Sequence, residues 1–509
     1  MADDKEKKED TPKPEVKDNL VESKHSITLG GQTIQYTVTT GTIVLKEETE
    51  KEGTAEGEKP KATVFFIAYT RDHVDDPSKR PITFSFNGGP GSSSVWLHLG
   101  ALGPRRVMMT DIGDLPPPPY KLTDNEYSLL DVSDLVFIDP VSTGYSRPTT
   151  GEKAKEFHSF KRDIESVGDF IRLYTTRYQR WLSPKFIIGE SYGTTRAAGL
   201  SGYLQERHGM FLNGIILVSS ILDFGTADFR AGNDLPYALF LPSYTATAWY
   251  HKKLDADLQN DLRATLREVE TFALNEYTHA LMRGDTLSGE ERAQIVQRLA
   301  RYTGLSTEYI ERSNLRVEIF RFTKELLRNE RRTVGRLDSR FKGIDRDSVG
   351  ATIENDPSLS NIMGPYTAAL YDYVRRELKF ESDLPYEILS LKVNQQWSFA
   401  EHENQYVSVA DTLRHAMTIN PYLRVLVANG YYDLATPYFA TAYTFNHLGL
   451  DETLRGNLAM AFYEAGHMMY IHIPSLAQFK ADVRGFVETA IPEEKEQETD
   501  YNAFQKASA

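Results

Sequence analysis

The chain has 509 residues, 40% apolar and 26% charged, with 28 Tyr and 25 Phe, a balance that suits a large globular protein. Its net charge of -14 leaves no dominant basic footprint for nucleic acid, and no apolar run approaches the roughly 20 residues that an integral membrane crossing needs. Cysteine is absent, which excludes disulfides, thiolate metal sites and cysteine nucleophiles, so any nucleophile is Ser, Thr, Asp, Glu or Lys.

Residues 1–24 form a charged, proline-containing run without an apolar segment, and read as a disordered leader rather than an export signal. Residues 32–45 and 62–69 predict an antiparallel pair of strands, with the charged stretch 46–61 as a solvated loop between them. Further apolar strands are predicted at 81–86, 135–139, 185–188, 214–218, 424–428 and 459–463. A helix is predicted over 155–178, where Phe157, Phe160, Ile164, Val167, Ile171 and Tyr174 recur at steps of three and four. Strands alternating with amphipathic helices predict a mostly parallel sheet covered on both faces.

From about 225 to 413 the pattern turns helical. Leu254, Leu258, Leu262, Leu266 and Val269 form one stripe, Ser288 with Glu291 fits a capping box, and 316–328 is a third helical stretch. Strand-like segments resume afterwards, so the interval reads as an insertion.

Gly189-Glu190-Ser191-Tyr192-Gly193 lies between a predicted strand and a helical run, the setting in which G-x-S-x-G forces a serine out on a tight turn. Such a serine needs an acid and then a histidine later in the chain. Asp433 stands just past the strand 424–428 and His467 just past 459–463, both where loops leave the carboxyl edge of a parallel sheet. His472 is the rival base, but lacks the adjacent glycine of a tight turn. No H-E-x-x-H occurs, which weighs against zinc. An oxyanion hole requires two convergent N–H groups: Tyr192 offers one, and the loop Asn87-Gly88-Gly89-Pro90-Gly91 offers another from Gly88 or Gly89.

Five segments, FNGGPGSSS, DPVSTGYSRP, GESYG, NGYYDLATP and EAGHMM, resemble in order and setting the motifs of the serine carboxypeptidases, the S10 family of peptidases with the α/β-hydrolase fold. The resemblance covers about 81–474. It implies a mostly parallel sheet with helices on both faces and a helical cap insertion. The division that follows is leader 1–24, catalytic domain in two parts (25–224 and 414–491), cap 225–413 and polar tail 492–509.

Residue by residue, the resemblance implies nucleophile Ser191, orienting acid Asp433 and base His467, with oxyanion donors Gly89 and Tyr192. Asn87, Glu190 and the Gly88 N–H would hold the substrate carboxylate, and Tyr145 would form a pocket wall. It implies no metal or organic cofactor, and peptide substrates with a free C-terminus. This sequence departs from the family at Ser85, where Trp is usual, at Ser92, where Cys is common, and at Thr194, where a smaller residue is usual.

An acid beside the nucleophile makes sense if it is protonated. A neutral Glu190 held by Asn87 can donate to a terminal carboxylate, whereas an ionised one repels it. Peptidase activity favoured at mildly acidic pH is the expectation. The same triad also serves an esterase or acyltransferase, and a non-catalytic binding protein of this fold is the reading from another class. An acid-favoured exopeptidase suits an extracytoplasmic space, but the leader shows no export signal, so the sequence leaves the compartment open.

Overall fold

The computed structural model describes residues 16–492; most of the expected leader and the tail beyond 492 lie outside the described residues. One sheet organises the chain: β1 (Asn19–Leu29), β2 (Gln32–Lys51), β3 (Thr54–Arg71), β4 (Ile82–Phe86), β5 (Asp134–Ile138), β6 (Lys185–Glu190), β7 (Gly214–Val218), β8 (Arg424–Gly430) and β9 (Leu458–Tyr463). Their spatial order is β1-β2-β3-β5-β4-β6-β7-β8-β9, with the short Arg147–Pro148 strand beside β3. From β5 to β9 every pairing is parallel. The first three strands are antiparallel to one another and join β5 antiparallel. Every residue of β4, β5, β6 and β7 is buried, which is why these strands are mostly apolar in the sequence.

Two expectations fail at the antiparallel edge. β1 begins at Asn19, inside the stretch expected to be leader, and pairs without interruption from Asn19↔Thr42 to Leu29↔Gln32. An exposed edge strand tolerates charge, and only Ile27 and Leu29 of β1 are fully buried. The stretch 46–61 is no loop: β2 and β3 run on as a hairpin joined by Glu52 and Gly53, both at positive φ (52° and 79°). Ladder hydrogen bonds are indifferent to side-chain polarity, so a charged sequence still forms strands there.

Helices cover both faces. On one, α1 (Phe160–Arg177) and α2 (Tyr192–His208) pack through Val167, Phe170, Ala197 and Leu200 against Phe66, Ile187 and Ile215 of the sheet. Strand neighbours one residue along point to the other face, where Phe137, Ile188 and Ile216 share a core with more C-terminal helices.

The helical interval contains α3 (Leu235–Tyr250), α4 (Leu262–Phe272), α5 (Gly289–Thr303), α6 (Ile319–Glu325) and α7 (Pro357–Asp372). The Ser288–Glu291 capping box is present at α5. The Leu254–Val269 stripe is helical only from Leu262, because Asp261 accepts the Ala264 N–H and caps α4 there. The helix expected over 316–328 is confined to α6. The interval also does not pack as one unit. Phe240, Phe272, Leu299 and Phe322 share a separate core, whereas Ile362, Tyr366 and Leu370 of α7 join the sheet core. After β8 come α8, which we assign to Tyr438–Asn446, and, after β9, α9 (Ile473–Thr489).

Candidate active site

Asn87 follows β4, Ser191 follows β6, Asp433 follows β8 and His467 follows β9, so four loops at the carboxyl edge of the parallel strands converge. Ser191 caps α2 at φ 60°, ψ −129°, a strained conformation for a residue with a side chain, fixed by its N–H to Val218 O at 2.9 Å. The turn closes because Gly189 has no side chain: a Cβ there would stand 2.2 Å from Gly193 O.

His467 Nδ1 lies 2.7 Å from Asp433 Oδ2. Asp433 is fully buried and accepts from the Ala435 N–H, the Thr436 N–H and the Thr436 hydroxyl, which fix its carboxylate. With Nδ1–H donated to Asp433, the ring's Nε2 is the acceptor left for a nucleophile. The His467 N–H donates to Leu337 O at 2.7 Å and holds the histidine loop in place. Burial pushes the imidazole pKa down, but Asp433 beside it outweighs this and leaves it above the ordinary value. His472, the rival base, instead lies 2.8 Å from Ser475 Oγ at the start of α9.

Asn87, Gly88, Gly89, Glu190, Ser191 and His467 line one cavity of about 270 Å³. Gly88 passes so close to the Ser191 turn that a Cβ would meet Tyr192 N at 2.5 Å and Glu190 O at 2.7 Å. The Tyr192 N–H belongs to the first turn of α2, whose donors have no intrahelical partner. Its phenol points elsewhere, donating to Asp163 Oδ2 at 3.2 Å.

Asn87 Nδ2 donates to Glu190 Oε1 at 3.0 Å, and Asn87 Oδ1 accepts from the Leu97 N–H, which sets the orientation of the amide. The other carboxyl oxygen, Oε2, accepts from the Tyr470 hydroxyl at 2.6 Å. Burial pushes the Glu190 carboxyl up to about 7, with His467, Tyr470 and Asn87 each opposing the shift. A carboxyl poised between its two states therefore sits beside the serine.

Tyr145 does not reach this cavity. Its ring packs 5.1 Å from that of Phe65 and 5.0 Å from that of Tyr386, because Gly144 is bridged to Glu387 and turns the side chain into the core. Among the residues that line or support the cavity and escaped the sequence reading are Trp96, Arg336 and Tyr470. Trp96 lies on the cavity wall and donates to Ser92 Oγ at 2.8 Å, so an aromatic wall comes from the turn after the glycine loop while Ser85 is buried in β4. Tyr470 follows His467 by three residues, a spacing that gives no periodic signal. Among the described residues no cluster of three His, Asp or Glu side chains could hold a metal ion.

Residues 51–471 match the serine carboxypeptidase family. Pheromone-processing carboxypeptidase KEX1 of Saccharomyces cerevisiae is 34% identical over 135 residues, which is 25% of this chain and 17% of that protein. Serine carboxypeptidase-like 45 of Arabidopsis thaliana is 26% identical over 186 residues, 35% of this chain and 37% of that protein. The chain thus aligns with well under two thirds of either relative. The crystal structure of the yeast prohormone-processing carboxypeptidase KEX1(delta)p matches with a TM-score of 0.54 at 18% identity, covering 90% of this chain and 93% of that one, and shows the α/β-hydrolase fold.

Proposed function

We propose, for a chain that belongs to the serine carboxypeptidase family, that it removes C-terminal residues from peptides through an acyl-enzyme, favoured at mildly acidic pH. The observation that carries this reading is the buried Glu190 carboxyl, held by Asn87 and Tyr470 in the cavity that also contains Ser191. A terminal carboxylate is the group that such a proton donor recognises and an internal amide lacks.

In this mechanism His467 takes the Ser191 proton as Oγ attacks the last peptide carbonyl, and Asp433 steadies the imidazolium. The N–H groups of Gly89 and Tyr192 receive the oxyanion. The protonated Glu190, Asn87 and the Gly88 N–H hold the leaving residue's carboxylate. His467 returns its proton to the departing amine, and water attacks the acyl-enzyme by the same route in reverse. The residues between 225 and 413 act as a cap, since 336–337 and 389–394 supply part of the cavity wall. An esterase or acyltransferase would use the same triad but would give Glu190 and Asn87 no carboxylate to hold.

The test pairs an N-blocked dipeptide with its C-terminally amidated twin at pH ~5 and ~7.5, a range that spans the raised carboxyl. Preference for the free acid, strongest at the lower pH and abolished in Ser191→Ala, is the expected result. Equal or faster turnover of the amide would overturn the reading.

A further inference from the structure

We propose that Arg336 selects peptides with a carboxylate side chain on the residue immediately upstream of the scissile bond. The inference rests on the carboxypeptidase reading and names a substrate class for it. Arg336 lines the catalytic cavity and also a second cavity of about 750 Å³, in which Phe224, Phe240, Leu434 and Ala435 contribute wall. The released residue occupies the Glu190 end of the small cavity. The rest of the peptide must leave Ser191 another way, and the space that adjoins it through Arg336 is the larger cavity.

The guanidinium of Arg336 has no ion pair or hydrogen bond among the described residues, although its backbone is fixed. Its N–H donates to Asp356 Oδ1 at 3.1 Å, its carbonyl accepts from the Leu434 N–H at 3.0 Å, and the next carbonyl, Leu337 O, accepts from His467. A half-buried cation is thus anchored between the catalytic histidine loop and the loop of Asp433, with its charge unanswered. That charge is felt at His467, whose imidazole it pushes toward the neutral form.

Most neighbouring charges are already engaged. The Asp356 carboxylate accepts from the N–H groups of Arg336, Leu337 and Ser358. Arg316 makes two bonds to Asp234 at 2.6 and 2.7 Å, and Arg230 pairs with Asp228 at 2.5 Å. The remaining charges of the larger cavity, Glu318 and Arg321, are opposite in sign. Arg336 is the unpaired cation that lines both cavities, and a partly desolvated cation attracts a carboxylate more strongly than one in open water.

Four N-blocked dipeptides test this: Glu-Phe, Gln-Phe, Phe-Glu and Phe-Gln, assayed with wild type, Arg336→Gln and Arg336→Glu. The readout is the ratio of kcat/KM for acid over amide side chain. Wild type should favour Glu-Phe over Gln-Phe about tenfold, the scale of one interfacial charge pair. The ratio should fall to about one in Arg336→Gln and below one in Arg336→Glu. Added salt should shrink the wild-type ratio. No preference in wild type, a preference that survives Arg336→Gln, or one seen only between Phe-Glu and Phe-Gln would overturn the proposal. A wild-type enzyme that labels at Ser191 with a phosphonofluoridate but cleaves none of the four would instead sink the carboxypeptidase reading. Wild-type selectivity and its salt dependence decide the matter even if both variants fail to fold.

Discussion

Arg196 Nη1 donates to the main-chain carbonyl of Asn87 at 2.6 Å, so the helix capped by Ser191 also holds the loop proposed to read the peptide's chain end. The same guanidinium donates through Nε to Asp163 Oδ2 at 2.8 Å, and stands 5.1 Å from the Phe86 ring and 5.3 Å from the Tyr192 ring. Arg196 is 1% exposed. Ser191, Asn87 and α1, which carries Asp163, are thereby tied together by one buried cation.

Arg196→Met should destabilise the fold by about 3–5 kcal/mol, because it strands the buried Asp163 without its cation. Burial already raises the Asp163 carboxyl, and Arg196 is the leading force against that shift. The double variant Arg196→Met/Asp163→Leu should recover part of the loss. Urea denaturation of the three proteins measures it; equal stability of wild type and the single variant would mean that the pair does not hold these elements together.

Gly88→Ala tests the close approach of the two loops. The added Cβ would fall 2.5 Å from Tyr192 N and 2.7 Å from Glu190 O, both backbone atoms that cannot rotate away. Either loop must move, and the proposed oxyanion donors then separate. A fall in kcat of about 100-fold or more is expected, the scale of losing one oxyanion donor. Wild-type kcat in Gly88→Ala would show that this loop does not contribute to the hole.

The loops that carry Ser191, Asp433 and His467 were legible in the sequence because each motif is local. G-x-S-x-G fixes its own turn, and Asp433 and His467 each follow a mostly apolar strand whose end marks the sheet edge. The hairpin over 46–61 was hidden because both faces there are exposed, so ladder pairing leaves no apolar trace. Leu254 and Leu258 are buried, but lie before α4, so an apolar stripe was mistaken for a longer helix. Tyr470 and Arg336 act through contacts across 280 residues and across a cavity wall, and no pattern within a short window could connect them to the site.

Tyr470→Phe should move the alkaline limb of free-acid peptide hydrolysis upward. The phenol donates to Glu190 Oε2, which favours the ionised carboxylate and holds its pKa down against burial. Without that donor the carboxyl keeps its proton to higher pH, by up to about one unit. The pH profile of kcat/KM measures the limb, with the amidated peptide as a control that should not shift. A limb that stays in place would mean that Tyr470 only fills space.

Glu190 links activity and stability through one proton. In the folded protein its carboxyl lies at about 7, against 4.5 for an ordinary glutamate. Between those values the unfolded chain releases the proton while the folded chain keeps it, so stability falls as pH rises through this window and levels off above it. The full difference is on the order of 3 kcal/mol. Glu190→Gln cannot ionise, so its stability relative to wild type should rise between pH ~5 and ~8 by an amount of that order. Activity follows the same proton: above pH ~7 the ionised carboxylate repels the substrate's own, and kcat/KM for free-acid peptides should fall. In Glu190→Gln the ratio of free-acid to amidated turnover should lose its pH dependence. Urea melts at the two pH values and the substrate-pair profile are independent readouts, and a stability difference that does not change with pH would show that Glu190 titrates as an ordinary carboxylate.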